Sequence, residues 1–237
     1  MTPDRDHSSP PTRPNSVQVF DQLAARYDAW FESPEGSAIF RVEAACVREA
    51  MGAPRGRWLE VGVGTGRFAR ALGIGDGVDP SREVLQYARS RGIRTAVGFA
   101  EHLPCPDAAF DGAVLVVSIC FVSDPGRALR ECARVLKPGG RLVVGLVPAD
   151  SPWGQNYAEK GRAGHPFYSA AKFYTCEEIA RLAREAGFTE AEAKSCLFEP
   201  PGTAPADIST RPGIVPGAGF VALAFTRNPN RKGRRRE

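Results

Sequence analysis

The chain has 237 residues, 43% of them hydrophobic, and a net charge of +4. That length and apolar content suit one globular domain, and no apolar run approaches the ~20 residues of a membrane span. The last seven residues, RKGRRRE, hold five basic groups and one acid, so the remainder is near neutral and offers no basic groove for nucleic acid.

Residues 1–15 are rich in proline and polar side chains. They read as a disordered tail without the apolar core of a secretory signal. One domain is expected over 16–228, followed by a basic, solvated tail at 229–237. Within the domain, a helical cap covers 16–52. It opens with SVQVFDQLAARYDAWF, which puts Phe20, Leu23, Ala24, Tyr27 and Phe31 on one helical face. Ser33 and Pro34 read as the N-cap and first-turn proline of a second helix. That helix turns Ile39, Val42 and Cys46 inward and stops near Gly52.

A core over 56–148 then alternates strand and helix. RWLEV is strand one, a helix runs through Arg67–Leu72, and GDGVDP is a short strand ending at Asp79. SREVLQYARSRG is a helix, RTAVGF a strand, and DGAVLVVS a strand apolar on both faces. Asp124 and Pro125 open the helix PGRALRECARVL, which KPGG ends, and RLVVGLV is the fifth strand. The last part, 149–228, starts with an aperiodic lid segment. Thr175 and Glu178 then form a capping box for CEEIARLAREAG. EAEAKSCLF and GAGFVALAFTR are two closing strands joined by a Pro/Gly-rich loop. This order predicts an α/β fold: a doubly wound, mostly parallel, seven-stranded sheet with its ligand at the carboxyl ends of the strands.

Cys46, Cys105, Cys120, Cys132, Cys176 and Cys196 form no CxxC pair. No metal site is expected, and the cysteines read as small buried hydrophobes in a reducing cytoplasm.

The chemistry starts at WLEVGVGTGRFA, where Gly62, Gly64 and Gly66 follow Glu60. A phosphate loop would need Gly-Lys-Ser/Thr, and a dinucleotide turn would place its third glycine one residue later. A carboxylate at Glu60 would oppose a pyrophosphate and suit a ligand that carries a cation. S-adenosylmethionine (SAM) has an ammonium, a sulfonium and a ribose diol, but no phosphate. Asp79 ends strand two, where it can accept from both ribose hydroxyls.

LEVGVGTGRFA, GVDPS, GFAEHLPCPDAAFDGAV and DPGRALRECARVLKPGGRLVVGLV together resemble class I SAM-dependent methyltransferases of the ubiquinone/menaquinone-biosynthesis type (methyltransferase type 11), over residues 19–190. The resemblance implies a Rossmann-like methyltransferase fold and SAM as cofactor. It implies that Glu60, Gly62, Gly64 and Gly66 line the methionine side and that Asp79, followed by Pro80, holds the ribose. Ala100 and Glu101 would edge the adenine, Ser118 would lie beside the methionine, and Tyr27 would cover the cofactor. Phe99 stands where the family usually has an acid, so the adenine must find another acceptor or stack on that ring.

Each of these residues also has a plain structural use. Glu101 would serve as a loop acid, Ser118 as a strand-end cap, and Tyr27 and Trp30 as core anchors. His165 is the candidate base, with a non-catalytic loop histidine as its ordinary role. Phe167, Tyr168 and Tyr174, with Trp30 and His165, are the candidate acceptor wall. The expected reaction is methyl transfer to a small-molecule acceptor by a monomer or homodimer, with no nucleic acid and no stable membrane insertion. An NAD-dependent oxidoreductase and a non-catalytic SAM-binding regulator are the alternatives.

Overall fold

The computed structural model describes residues 15–229; the predicted tails, apart from Asn15 and Pro229, lie outside the described residues. Five parallel strands form the centre of one sheet, in the spatial order β3 (Arg94–Val97), β2 (Asp76–Asp79), β1 (Trp58–Val61), β4 (Phe110–Val116) and β5 (Leu136–Leu146). Beyond β5 the sheet continues antiparallel through β8 (Phe220–Arg227), β6 (Phe188–Cys196) and β7 (Arg211–Pro212).

The strand alternation divides the core. On β4, Val114 and Val116 join one apolar cluster and Ala113 and Leu115 the other, as a side-chain period of two requires. The first cluster packs under α2 (Pro34–Met51), whose Ile39, Val42 and Cys46 are buried. The second lies under α5 (Pro125–Val135) and α7 (Cys176–Ala186) through Leu129, Cys132, Ile179 and Ala183. The strand order reverses between β1 and β4, and a crevice opens at such a switch point.

The helix ends follow the sequence signals. Ser33 accepts from the Gly36 amide at 3.0 Å, Asp124 from that of Arg127 at 2.8 Å, and Thr175 and Glu178 close their capping box. α1 (Asn15–Trp30), α3 (Arg67–Leu72) and α4 (Arg82–Ser90) lie where their patterns put them, and α1 kinks at Leu23.

Three local expectations need correction. The stretch after β5 lacks a strong period, yet it holds a helix, α6 (Pro152–Arg162), started by Ser151, whose Oγ accepts from Gly154 N at 3.0 Å, with Pro152 in the first turn. KPGG does not end a helix. It lies within β5, as an excursion opposite Asp111, where Lys137 Nζ meets Asp111 Oδ1 at 2.7 Å. The sheet gains an eighth, two-residue strand, β7, from the Pro/Gly loop. Ser195 pins that loop by donating to Gly213 O at 2.7 Å and accepting from Val215 N at 3.0 Å.

Candidate functional site

The turn between β1 and α3 is built around absent side chains. Gly62 sits at φ +75°, and a Cβ there would fall 2.5 Å from the Ser118 Cβ. A Cβ on Gly66 would come 2.9 Å from the Ala88 Cα, so this glycine lets α3 start against α4. Gly62 N and Val63 N both donate to Val78 O, at 2.8 and 3.0 Å, fastening the turn to β2.

Two acids flank the turn, in different states. Asp79 ends β2, accepts from Gly64 N and Ser81 N at 2.9 Å each, and faces the crevice. Burial pushes its carboxyl up to about 6 against the pull of those amides. Glu60 is 2% exposed. Burial drives its pKa well above the ordinary carboxylate range, opposed by the Ala69 amide and aided by the charge of Asp79. Its Oε2 is buried without a hydrogen-bond partner among the described residues. A lone buried acceptor is costly, and it suits a ligand that brings a donor or a cation. The glycine backbone, the orphan oxygen and the Asp79 carboxylate together fit SAM.

The crevice runs along four strand ends. Gly62 and Gly64 line it after β1, Asp79 and Pro80 after β2, Ala100 and Glu101 after β3, and Ser118 after β4. Tyr27 closes it from α1. Glu60 and Gly66 are not in its wall: the first is buried at the start of α3, and the second faces α4. Ser118 Oγ donates to Val61 O at 2.9 Å. Glu101 Oε1 accepts from Ser123 N and Asp124 N at 2.8 and 3.1 Å, so it also staples the loop before α5. Phe99 lines the cleft with 40% of its surface exposed, which leaves a free ring face where the resembling family carries an acid.

α1 is strapped over this cleft from both ends. Ser81 Oγ donates to Asp21 at 2.7 Å. Asp28 receives Arg67 Nε and Nη2 at 2.9 and 2.8 Å and Arg91 Nη2 at 2.8 Å. Burial alone would raise the Asp28 pKa, but these guanidinium bonds outweigh it and hold the carboxyl well below its usual range.

Behind the cleft lies a second cavity of about 440 Å³, mostly aromatic. Trp30, His165, Phe167, Tyr168 and Tyr174 all line it. The His165 ring stacks on Tyr168 at 4.3 Å. Burial lowers its pKa, and the charges of Arg26 and Lys160 lower it further, which favours the neutral imidazole. Phe20, Tyr27, Val117 and Phe121 belong to the walls of both cavities, so the two meet there.

Sequence reasoning missed three residues here. Tyr157 comes from the unrecognised α6. Val117 holds φ +45°, a strained conformation for a β-branched residue; no sequence signal marks it. Glu43 had a signal: it stands four residues from Ile39 and from Val47, an acid inside the buried stripe of α2.

Comparison with known proteins agrees with this geometry. Residues 59–144 match the family model described as a methyltransferase domain. An uncharacterized protein of Mycobacterium tuberculosis is 41% identical over 220 residues, covering 91% of this chain and 76% of its own. The ubiquinone/menaquinone biosynthesis C-methyltransferase UbiE of Vibrio vulnificus is 37% identical over 146 residues, covering 54% of this chain and 55% of its own. A crystal structure from Thermotoga maritima, described as a SAM-dependent methyltransferase and possible histamine N-methyltransferase, superposes with a TM-score of 0.83 at 37% identity. The match covers 90% of this chain and 100% of that one.

Proposed function

The chain belongs to the class I SAM-dependent methyltransferases, and from that premise we propose that it methylates a small molecule held in the aromatic cavity. The carrying observation is that the strand-end cleft and the aromatic cavity meet at Phe20, Tyr27, Val117 and Phe121. When bound, SAM supplies a methyl group already activated by its positive sulfur.

The residues of this chain do the rest. Asp79 accepts the ribose hydroxyls with the lone pairs its two backbone bonds leave free. The backbone at Gly62 and Gly64 admits the methionine part closely, and Glu60 lies buried under the turn, behind that backbone. Phe99 presents a ring face to the adenine beside Ala100 and Glu101. Tyr27 and Phe20, carried by α1, separate the cleft from solvent, so the acceptor reacts in a dry, oriented setting. His165, on the cavity wall, is our candidate to take a proton from the acceptor, through the Nδ1 that accepts from Tyr168 N at 3.4 Å in the free protein.

Incubating the protein with methyl-deuterated SAM and a small-molecule extract, with mass spectrometric readout, tests this reading. A labelled small molecule formed only with active protein supports it. Label appearing only on macromolecules overturns the small-molecule reading, and tight SAM binding with no label on anything across a broad acceptor set favours the binding-protein alternative.

A further inference from the structure

We propose that the aromatic cavity is built to bind a lipophilic amine, with Glu43 as the counter-charge to its ammonium group. This rests on the reading that the cavity is the acceptor site, and it names the acceptor class: the bound ammonium first gives a proton to the Glu43 carboxylate, and the freed nitrogen lone pair then takes the methyl as its bond to sulfur breaks.

Glu43 is 6% exposed and lines the cavity among aromatic rings. No described residue donates a hydrogen bond to its carboxyl or pairs with it; desolvation alone moves its pKa, up to about 8. Such a group is expensive to bury and is normally paired. α2 could carry any apolar residue in this stripe, as it does at Ile39, Val42 and Val47. An acid here makes sense when its partner arrives with a ligand.

The walls suit a cation. Rings of Tyr27, Phe31, Phe68 and Tyr157 line the same space, and aromatic faces attract ammonium groups. The Tyr157 and Tyr168 rings stack on each other at 4.4 Å, so they form one continuous aromatic wall. An anionic ligand would meet Glu43 as a like charge. A neutral alcohol would leave the acid protonated and gain no ion pair. A flat, apolar amine gains both burial and charge pairing, and a cavity of about 440 Å³ accommodates one.

The groups facing Glu43 do not titrate near neutrality in its place. Tyr27, Tyr157 and Tyr168 are raised by burial, and Cys196 by the neighbouring Cys46 thiol and by burial. Arg26 is exposed, and burial favours the neutral form of His165. Free Glu43 is therefore mostly protonated at pH 7 and must ionise to pair with an ammonium. Amine binding should release a proton at pH 7 and tighten from pH 6 to 8.

The test is calorimetry on the full chain saturated with S-adenosylhomocysteine. The three probes are tryptamine, the alcohol tryptophol and the acid indole-3-propionate. The expected result is tryptamine binding at least tenfold tighter than either, with proton release seen as a dependence on buffer ionisation heat. Glu43→Gln should abolish that preference and the proton release while leaving S-adenosylhomocysteine affinity unchanged. The alcohol or acid matching the amine on the native protein overturns the proposal, and so does failure of all three to bind. Because the native protein alone decides this, an unstable variant does not rescue the idea. Loss of S-adenosylhomocysteine binding would instead strike the cofactor cleft, which keeps the two readings separable.

Discussion

Asp79 spends one lone pair of each oxygen on Gly64 and Ser81 and still faces the cleft. Replacing it by Ala removes two charge-assisted acceptors, each worth about 1.5–3 kcal/mol. SAM affinity should fall at least about a hundredfold, measured by calorimetry. Glu178→Ala, which only opens the α7 capping box, should leave that affinity unchanged and lower stability by about 0.5–2 kcal/mol. Equal affinities in the two variants would remove Asp79 from the site. The same carboxyl sets a pH limb. Its pKa is raised to about 6 in the free protein, and only the ionised form accepts from two hydroxyls. SAM binding should therefore weaken as pH drops below about 6, by up to about tenfold per unit. A flat profile from pH 5 to 8 would contradict this. Glu43 and Val117 show where single residues escape reading. Glu43 broke an otherwise apolar helix face and was detectable. The strain at Val117 arises from how β4 ends against Gly145, to whose carbonyl Val117 N donates at 2.8 Å, and a sequence does not display φ.

At the scale of elements, α1 acts as the roof, and Asp28 is its main strap. Asp28→Ala cuts three bonds from Arg67 and Arg91 and leaves both guanidinium groups short of a partner. Stability should fall by about 1.5–3 kcal/mol in denaturant titration, and SAM should dissociate faster in stopped-flow measurements. An unchanged off-rate would mean that α1 does not gate the cleft. The Asp28 pKa is depressed in the folded state, so its stabilisation is complete above the ordinary carboxylate value of 3.8 and is lost as pH falls below it. The elements that sequence marked well are those with two agreeing signals: a cap plus a period for α2, α5 and α7, and a buried run plus a glycine turn for β1. α6 had a cap and proline, Ser151–Pro152, but a weak apolar period: Trp153 and Gly154 alone are buried along it. Trp153 enters the core beside the sheet while Tyr157 faces the cavity, so the usual amphipathic stripe is missing.

Across the whole molecule, the parallel half of the sheet was legible because each βα unit is local. The cofactor cleft follows from it, since four strand ends converge by topology. The aromatic cavity was less legible. Its walls come from α1, α2, α3, α6, the end of β5 and the loops after β4 and before α7, segments far apart in sequence with no shared period. The candidate wall residues His165, Phe167 and Tyr168 could be named, but not the enclosed space they share with Glu43. The central claim is spatial: a phosphate-free sulfur nucleoside lies along the strand ends, its sulfur pointing to the junction at Tyr27 and Val117. A crystal structure with S-adenosylhomocysteine tests it most directly. The account predicts the ribose on Asp79, the adenine beside Phe99 and Glu101, and the sulfur at the mouth of the aromatic cavity. A nucleoside found in the aromatic cavity itself, or away from Gly62 and Asp79, would contradict it.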